Sequence, residues 1–145
     1  MYKRILVPLE HSSYDETILG HVRALARLCG SSLVLVHVAD GWVARNIQNL
    51  NLRESEEMRE DRAYLEQLVE RMNAAGLNTR GKLALGDPAT ELIKTVESED
   101  VDLIAMSTHG HRFLNDLVRG TTVDRVRHEV NVPVLLLRAR RRAQS

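Results

Sequence analysis

Five short apolar runs, separated by stretches whose apolar residues recur at helical spacing, leave this chain few folds to choose from. Ile5–Leu9, Leu33–Val38 and Val101–Met106 are nearly continuous in Val, Ile and Leu, the pattern of strands covered on both faces. Thr79–Leu85 alternates weakly, as an edge strand does, and Pro133 puts Val132–Leu137 at or beginning at an edge. Four helical patterns lie between. Ile18, Val22, Leu25 and Cys29 share a face between a capping box at Ser13-Tyr14-Asp15-Glu16 and a C-cap at Gly30. Met58, Leu65, Leu68 and Met72 stripe a helix from Glu54 to Ala75, whose many charges read as a solvated face. Asp87 caps a third helix, with Pro88 at its first position and Leu92, Ile93 and Val96 turned inward, and Val123, Val126 and Val130 mark the fourth. The alternation predicts one α/β domain over residues 1–139. It is a Rossmann-like, mainly parallel, open five-stranded sheet with helices on both faces, followed by a basic tail at 140–145 that is expected to be disordered.

Composition narrows the function classes. Twenty basic and twenty acidic residues cancel across the 145, so the body gives no electrostatic case for nucleic acid, and the arginines at 138–142 are a small patch. Cys29 stands alone, which excludes an internal disulfide or a cysteine metal cluster and fits a reducing compartment. No run approaches the roughly 20 apolar residues of a membrane span, and the strand at Ile5 leaves no room for a secretory signal. A cytoplasmic protein without a membrane partner is expected.

The stretch from Ala105 to Thr122 carries the chemistry. The fourth strand runs into a small polar loop with Gly110, and Gly120 then meets Thr121 and Thr122 at the start of a helix. Free N–H groups and the positive end of a helix dipole converge in such a place, which suits phosphate; a simple turn and helix cap is the alternative. Neither of the familiar phosphate-loop patterns, G-x-x-x-x-G-K-[ST] or G-x-G-x-x-G, occurs. Open parallel sheets hold ligands at the carboxyl ends of their strands, which puts Leu9, Glu10, Val38 and Ser107–Gly110 on one rim. Trp42, in a long loop after the second strand, reads as closing the core. His109 and His111, with His11 nearby, have metal-ligand spacing but no carboxylate or cysteine in sequence to complete a set, so no metal is assigned. His37 reads as a satisfied core or rim histidine and His128 as helix surface. No catalytic pair is visible. Glu10 has the chemistry to orient a water, and His111 or Arg112 to neutralise a γ-phosphate, but the lysine and magnesium carboxylate of a kinase or P-loop ATPase are missing, so hydrolysis is at most slow.

These residues resemble the universal stress protein family over essentially the whole chain. The likeness runs from Ile5-Leu6-Val7-Pro8-Leu9-Glu10 through Val36-His37-Val38 and Gly86-Asp87-Pro88-Ala89 to Val132-Pro133-Val134-Leu135-Leu136. The family's nucleotide motif is G-x-x-G-x9-G-[ST]. Gly110, Gly120 and Thr121 match it with nine residues between the glycines, while Ser107 stands where the first glycine is usual. Glu10 likewise stands where ATP-binding members have aspartate. The resemblance implies strand order 3-2-1-4-5, a homodimer through the last strand, Val132–Leu137, and binding of ATP or a related adenine nucleotide, with or without Mg2+. Pro8, Leu9, Glu10, Val38 and Met106 would lie about the adenosine, and Ser107, Gly110, His111, Arg112, Gly120, Thr121 and Thr122 about the phosphates. The implied role is a stress-response or regulatory sensor reporting through its dimer or a protein partner. The alternative is an interaction protein of the same fold that has lost the nucleotide.

Overall fold

A computed structural model of the chain describes residues 1–39, 51–108 and 120–139, without the side chains of residues 51–55, 57, 120 and 121. The elements run β1 Arg4–Leu9, α1 Asp15–Cys29, β2 Ser32–Ala39, α2 Asn51–Ala74, β3 Thr79–Leu85, α3 Pro88–Ser98, β4 Leu103–Thr108, α4 Gly120–Glu129 and β5 Val134–Arg138. The strands form one sheet in the order β3-β2-β1-β4-β5, and each pairing is parallel. Both the fold class and the strand order are those expected.

The continuous apolar runs are explained by two cores, one on each face of the sheet. Ile5, Val7, Leu9, Leu33, Leu35, Leu103 and Ala105 pack beneath Ile18 and Val22 of α1 and Leu65, Leu68 and Met72 of α2. The alternate residues Leu6, Val34, Val36, Ile104 and Met106 pack against Leu92 and Val96 of α3 and Val123 and Val126 of α4. Period-two geometry sends neighbours to opposite faces, so both sets must be apolar. At Gly81 a Cβ would come within 2.9 Å of the Val69 side chain; glycine lets α2 settle on the edge strand β3.

Helix ends follow the sequence with one exception. Gly30 closes α1 in the left-handed region at φ 69°, its N–H bonded to the Ala26 carbonyl. Asp87 caps α3 by accepting from the Thr90 N–H at 3.0 Å, ahead of Pro88. The capping box expected at Ser13–Glu16 does not form. Tyr14 occupies the N-cap without a side-chain cap, and Glu16 pairs instead with Arg71 of α2 at 3.0 Å. Asp15 closes this turn from inside the helix, as described below. Cys29 is half-buried rather than a core residue, α2 begins at Asn51 rather than Glu54, and β5 begins at Val134, just after Pro133. Among the described residues no helix is long and apolar enough to cross a membrane. Trp42 and the basic tail, 140–145, lie outside them.

Candidate functional site at the carboxyl rim

From β1 the chain winds outward through β2 to β3 on one side, then returns to build β4 and β5 on the other. The order reverses between β1 and β4, and the crevice beyond their carboxyl ends is where open α/β sheets take ligands. Pro8–Glu10 border it from β1 and Ser107–Thr108 from β4.

The β1 side is knitted shut. Asp15, fully buried in the first turn of α1, accepts the N–H groups of Glu10 and His11 at 2.9 Å each and of Ser12 at 3.2 Å. Its fourth partner is the Tyr64 hydroxyl of α2, at 2.6 Å. One carboxylate thus takes four hydrogens, one on Oδ1 and three on Oδ2. Burial, aided by the Asp15 hydrogen bond and charge, pushes the Tyr64 phenol up, so it stays a donor. His11 sits at φ 66°, uncommon for a residue with a side chain, and the Asp15 bond to its N–H helps to hold it there. Its ring stacks on Tyr64 with centroids 4.1 Å apart, and its Nδ1 donates to Asp61 of α2 at 2.7 Å. His37, buried on β2, donates from Nδ1 to the Leu9 carbonyl at 3.0 Å and turns Nε2 to the other Asp61 oxygen at 3.5 Å. The consequence is chemical. The first strand-to-helix turn, which cradles phosphate in dinucleotide-binding sheets, already holds an anion of the protein's own.

The β4 side is different. Ser107 is buried in register with Leu137 of β5, and among the described residues its hydroxyl has no hydrogen-bond partner. Leaving a buried hydroxyl unpaired costs about 1–3 kcal/mol, so a partner is wanted there. Thr108 is half-exposed beyond it, and Gly120 opens α4 with Thr122 half-buried in its first turn.

Of the other residues expected at the site, Pro8 and Leu9 are buried at the end of β1, while Val38 and Met106 are buried in the core beneath α3 and α4. Glu10 is half-buried and accepts from the Ser12 hydroxyl at 3.2 Å. Gly110, His111 and Arg112, together with His109 and the Thr121 side chain, lie outside the described residues. Among the described residues no group of three or more histidines, cysteines or carboxylates is arranged to hold a metal. A cavity of about 360 Å³ lies elsewhere, between α2 and the edge strand β3, lined by Leu65, Val69, Gly81 and Leu83 with Glu66 and Glu70.

Sequence reading missed Asp15, Asp61 and Tyr64. It placed Asp15 in a capping box and the α2 charges on a solvated face, and Tyr64 follows no motif. The one available signal was a pair of histidines at the ends of two strands, each needing a partner.

The sequence model of the universal stress protein family matches residues 1–138, and the chain belongs to that family. It is 25% identical to universal stress protein MJ0577 of Methanocaldococcus jannaschii, over 95% of this chain and 96% of that protein. The structure of MJ0577 superposes with a TM-score of 0.78, covering 97% of this chain and 99% of that one at 30% identity over the superposed residues. An Archaeoglobus fulgidus universal stress protein solved in complex with dAMP has a TM-score of 0.66 at 21% identity, covering 93% and 97% of the two chains. A universal stress protein in complex with cAMP has a TM-score of 0.68 at 16% identity, covering 94% and 97%. At such identities the likeness is one of fold.

Proposed function

We propose that the protein binds an adenine nucleotide, ATP or AMP, in the β1–β4 crevice and serves as a dimeric, cytoplasmic sensor in stress response. The observation that carries this reading is the buried Ser107 hydroxyl at the end of β4, unpartnered among the described residues, on the strand that flanks the chain reversal where ligands enter such sheets. The family membership and the dAMP and cAMP bound by two proteins of the same fold support the nucleotide class. In this reading Pro8, Leu9, Glu10, Val38 and Met106 surround the adenosine. Ser107, Gly110, Gly120, Thr121 and Thr122 take the phosphates, with His111 and Arg112 to offset their charge and Mg2+ as an optional companion of a triphosphate. No residue pair is assigned to turnover. Nucleotide released on denaturing freshly purified protein, identified by mass spectrometry, tests the reading; its absence, with no heat on titrating ATP or AMP, would favour a surface-acting interaction protein.

The dimer belongs to the same proposal and rests on a contrast between the sheet's two edges. The outer edge strand β3 carries Arg80 and Lys82, charges that discourage pairing, while β5 offers Val134, Leu135 and Leu137 half-buried and Leu136 exposed. A twofold mate seated along β5 would cover these side chains. Sedimentation at micromolar concentration should give a dimer that Val134→Asp with Leu136→Asp converts to monomer; a dimer surviving both places the interface elsewhere.

A further inference from the structure

We propose that the cavity between α2 and β3 is a second binding site, one that takes a small organic cation: an ammonium group on a compact apolar body. The inference is independent of the nucleotide reading, because β2 and β1 stand between β3 and the β4–α4 side.

The gap comes from the residue order along β3. Side chains alternate on a strand, so Thr79, Gly81 and Leu83 share the face toward α2 while Arg80 and Lys82 share the other. Thr79 is buried and Leu83 half-buried, but Gly81 leaves exposed backbone between them. Opposite stand Leu65 and Val69 of α2, so the interior of the cavity is apolar. Asn73 closes one end with a side chain that is already committed: its Nδ2 donates to the Thr79 carbonyl at 2.9 Å, and its Oδ1 accepts the Thr79 N–H at 2.9 Å. The walls are therefore formed in advance, and a ligand has little to order on entering. At about 360 Å³ the cavity falls at the small end of ligand sites, which run from about 300 to 1,000 Å³.

Charge selects the occupant. Arg62, Glu66 and Glu70 follow one another at four-residue spacing on the α2 wall, so the charged lining is two carboxylates against one guanidinium. The cations of β3 are turned away from the cavity: Lys82 Nζ donates to the Thr95 hydroxyl of α3 at 3.2 Å, and Arg80 pairs with Glu99 at 2.9 Å. Two carboxylates four residues apart repel each other along a helix. Among the described residues neither Glu66 nor Glu70 has a hydrogen-bond or ion-pair partner. An ammonium group between them would offset the repulsion while its apolar body covers Leu65, Val69 and Leu83; an anion would add to the repulsion. A strand from another protein fits less well, because it would have to pair along an edge that carries Arg80 and Lys82.

Nitrogen-15 NMR titration of the full chain tests this with probes of similar size and different charge: phenethylamine, a cation at neutral pH; 2-phenylethanol, which is neutral; and 3-phenylpropionate, an anion. Phenethylamine should move the backbone amides of Leu65 to Glu70 and of Gly81 to Leu83 to saturation. It should bind about three- to fivefold more tightly than the alcohol, as exposed ion pairs allow, with the propionate weakest. Sodium chloride at about 1 M, where the screening length falls to about 3 Å, should erase that advantage. Glu66→Gln with Glu70→Gln, both at exposed helix positions, should lower the amine to the level of the alcohol and leave the alcohol unchanged. Leu83→Trp, which fills the cavity, should abolish binding of both. Equal affinity for the three probes, an amine indifferent to the glutamine pair, or no movement of these amides overturns the site. Should Leu83→Trp fold poorly, the glutamine pair decides alone. A change of mass in sedimentation on Leu83→Trp would make the cavity a contact between copies of the chain, and would overturn the proposal as well.

Discussion

The two sides of the crevice solve the same problem in opposite ways. At the end of β1 the chain turns into α1 with three N–H groups exposed to a would-be anion, and Asp15 fills the place from within the helix. At the end of β4 the buried Ser107 hydroxyl has no such partner among the described residues. A strand-to-helix turn that is satisfied internally is structure. One that leaves a buried polar group wanting is a candidate for binding. In the proposed reading, the contrast puts phosphate on the β4–α4 side and leaves the β1 side to shape and position the base.

The contrast can be broken most severely at Asp15. Asp15→Ala strips the partner from three N–H groups and a phenol, and should cost about 3–5 kcal/mol, as for breaking a buried charged network. A midpoint lowered by roughly 10 °C is expected in calorimetry; a loss within about 2 °C would mean that the turn is held by something else. Tyr64→Phe removes one bond of that network and should cost about 1–2 kcal/mol in urea unfolding. It also carries a pH signature. The folded protein holds the Tyr64 proton more tightly than the unfolded chain, so this contribution is complete below the ordinary tyrosine range near 10 and lost as pH rises above it. Alkaline unfolding of the phenylalanine variant should lack that component.

Ser107→Ala sharpens the contrast, because its two effects have opposite sign. Without nucleotide the variant should gain about 1 kcal/mol by losing an unsatisfied hydroxyl, and it should bind AMP or ATP about three- to tenfold more weakly. A destabilised variant with unchanged affinity would make Ser107 an ordinary buried residue. The smallest effect is expected at Asp87, which follows the edge strand β3. Its cap on α3 holds the carboxyl below the usual carboxylate range, through the Thr90 hydroxyl and N–H first and Arg125 second. That stability is present above the ordinary value and fades as pH falls through the lowered one. The group is exposed, so after solvent screening Asp87→Ala should cost only about 0.5–1 kcal/mol.

The sheet was legible because its strands are buried on both faces, and continuous apolar runs such as Leu33–Val38 say so directly. Even the weakly patterned Thr79–Leu85 was found with its ends intact, since Gly86 punctuates it sharply, with φ at 135°. The start of α1 was misread because Ser13 and Glu16 satisfy the capping-box pattern, while the group that acts is Asp15 reaching backward to residues 10–12. The α2 face was misread for a related reason. In a helix as charged as this one, nothing in the sequence separates Asp61, which meets His11 of the β1–α1 turn and His37 of β2, from its solvated neighbours. Local chemistry is visible in sequence; partners brought together by a crossover are not.

The central claim, that an adenine nucleotide places its phosphates at the β4–α4 side, is tested most directly by calorimetric titration of ATP and AMP into the parent and Gly120→Val. The parent should bind, and the variant, whose side chain stands where backbone and phosphate must approach closely, should lose at least about tenfold in affinity while keeping its midpoint within a few degrees. Equal affinities in the two proteins, or no binding by the parent, would contradict it.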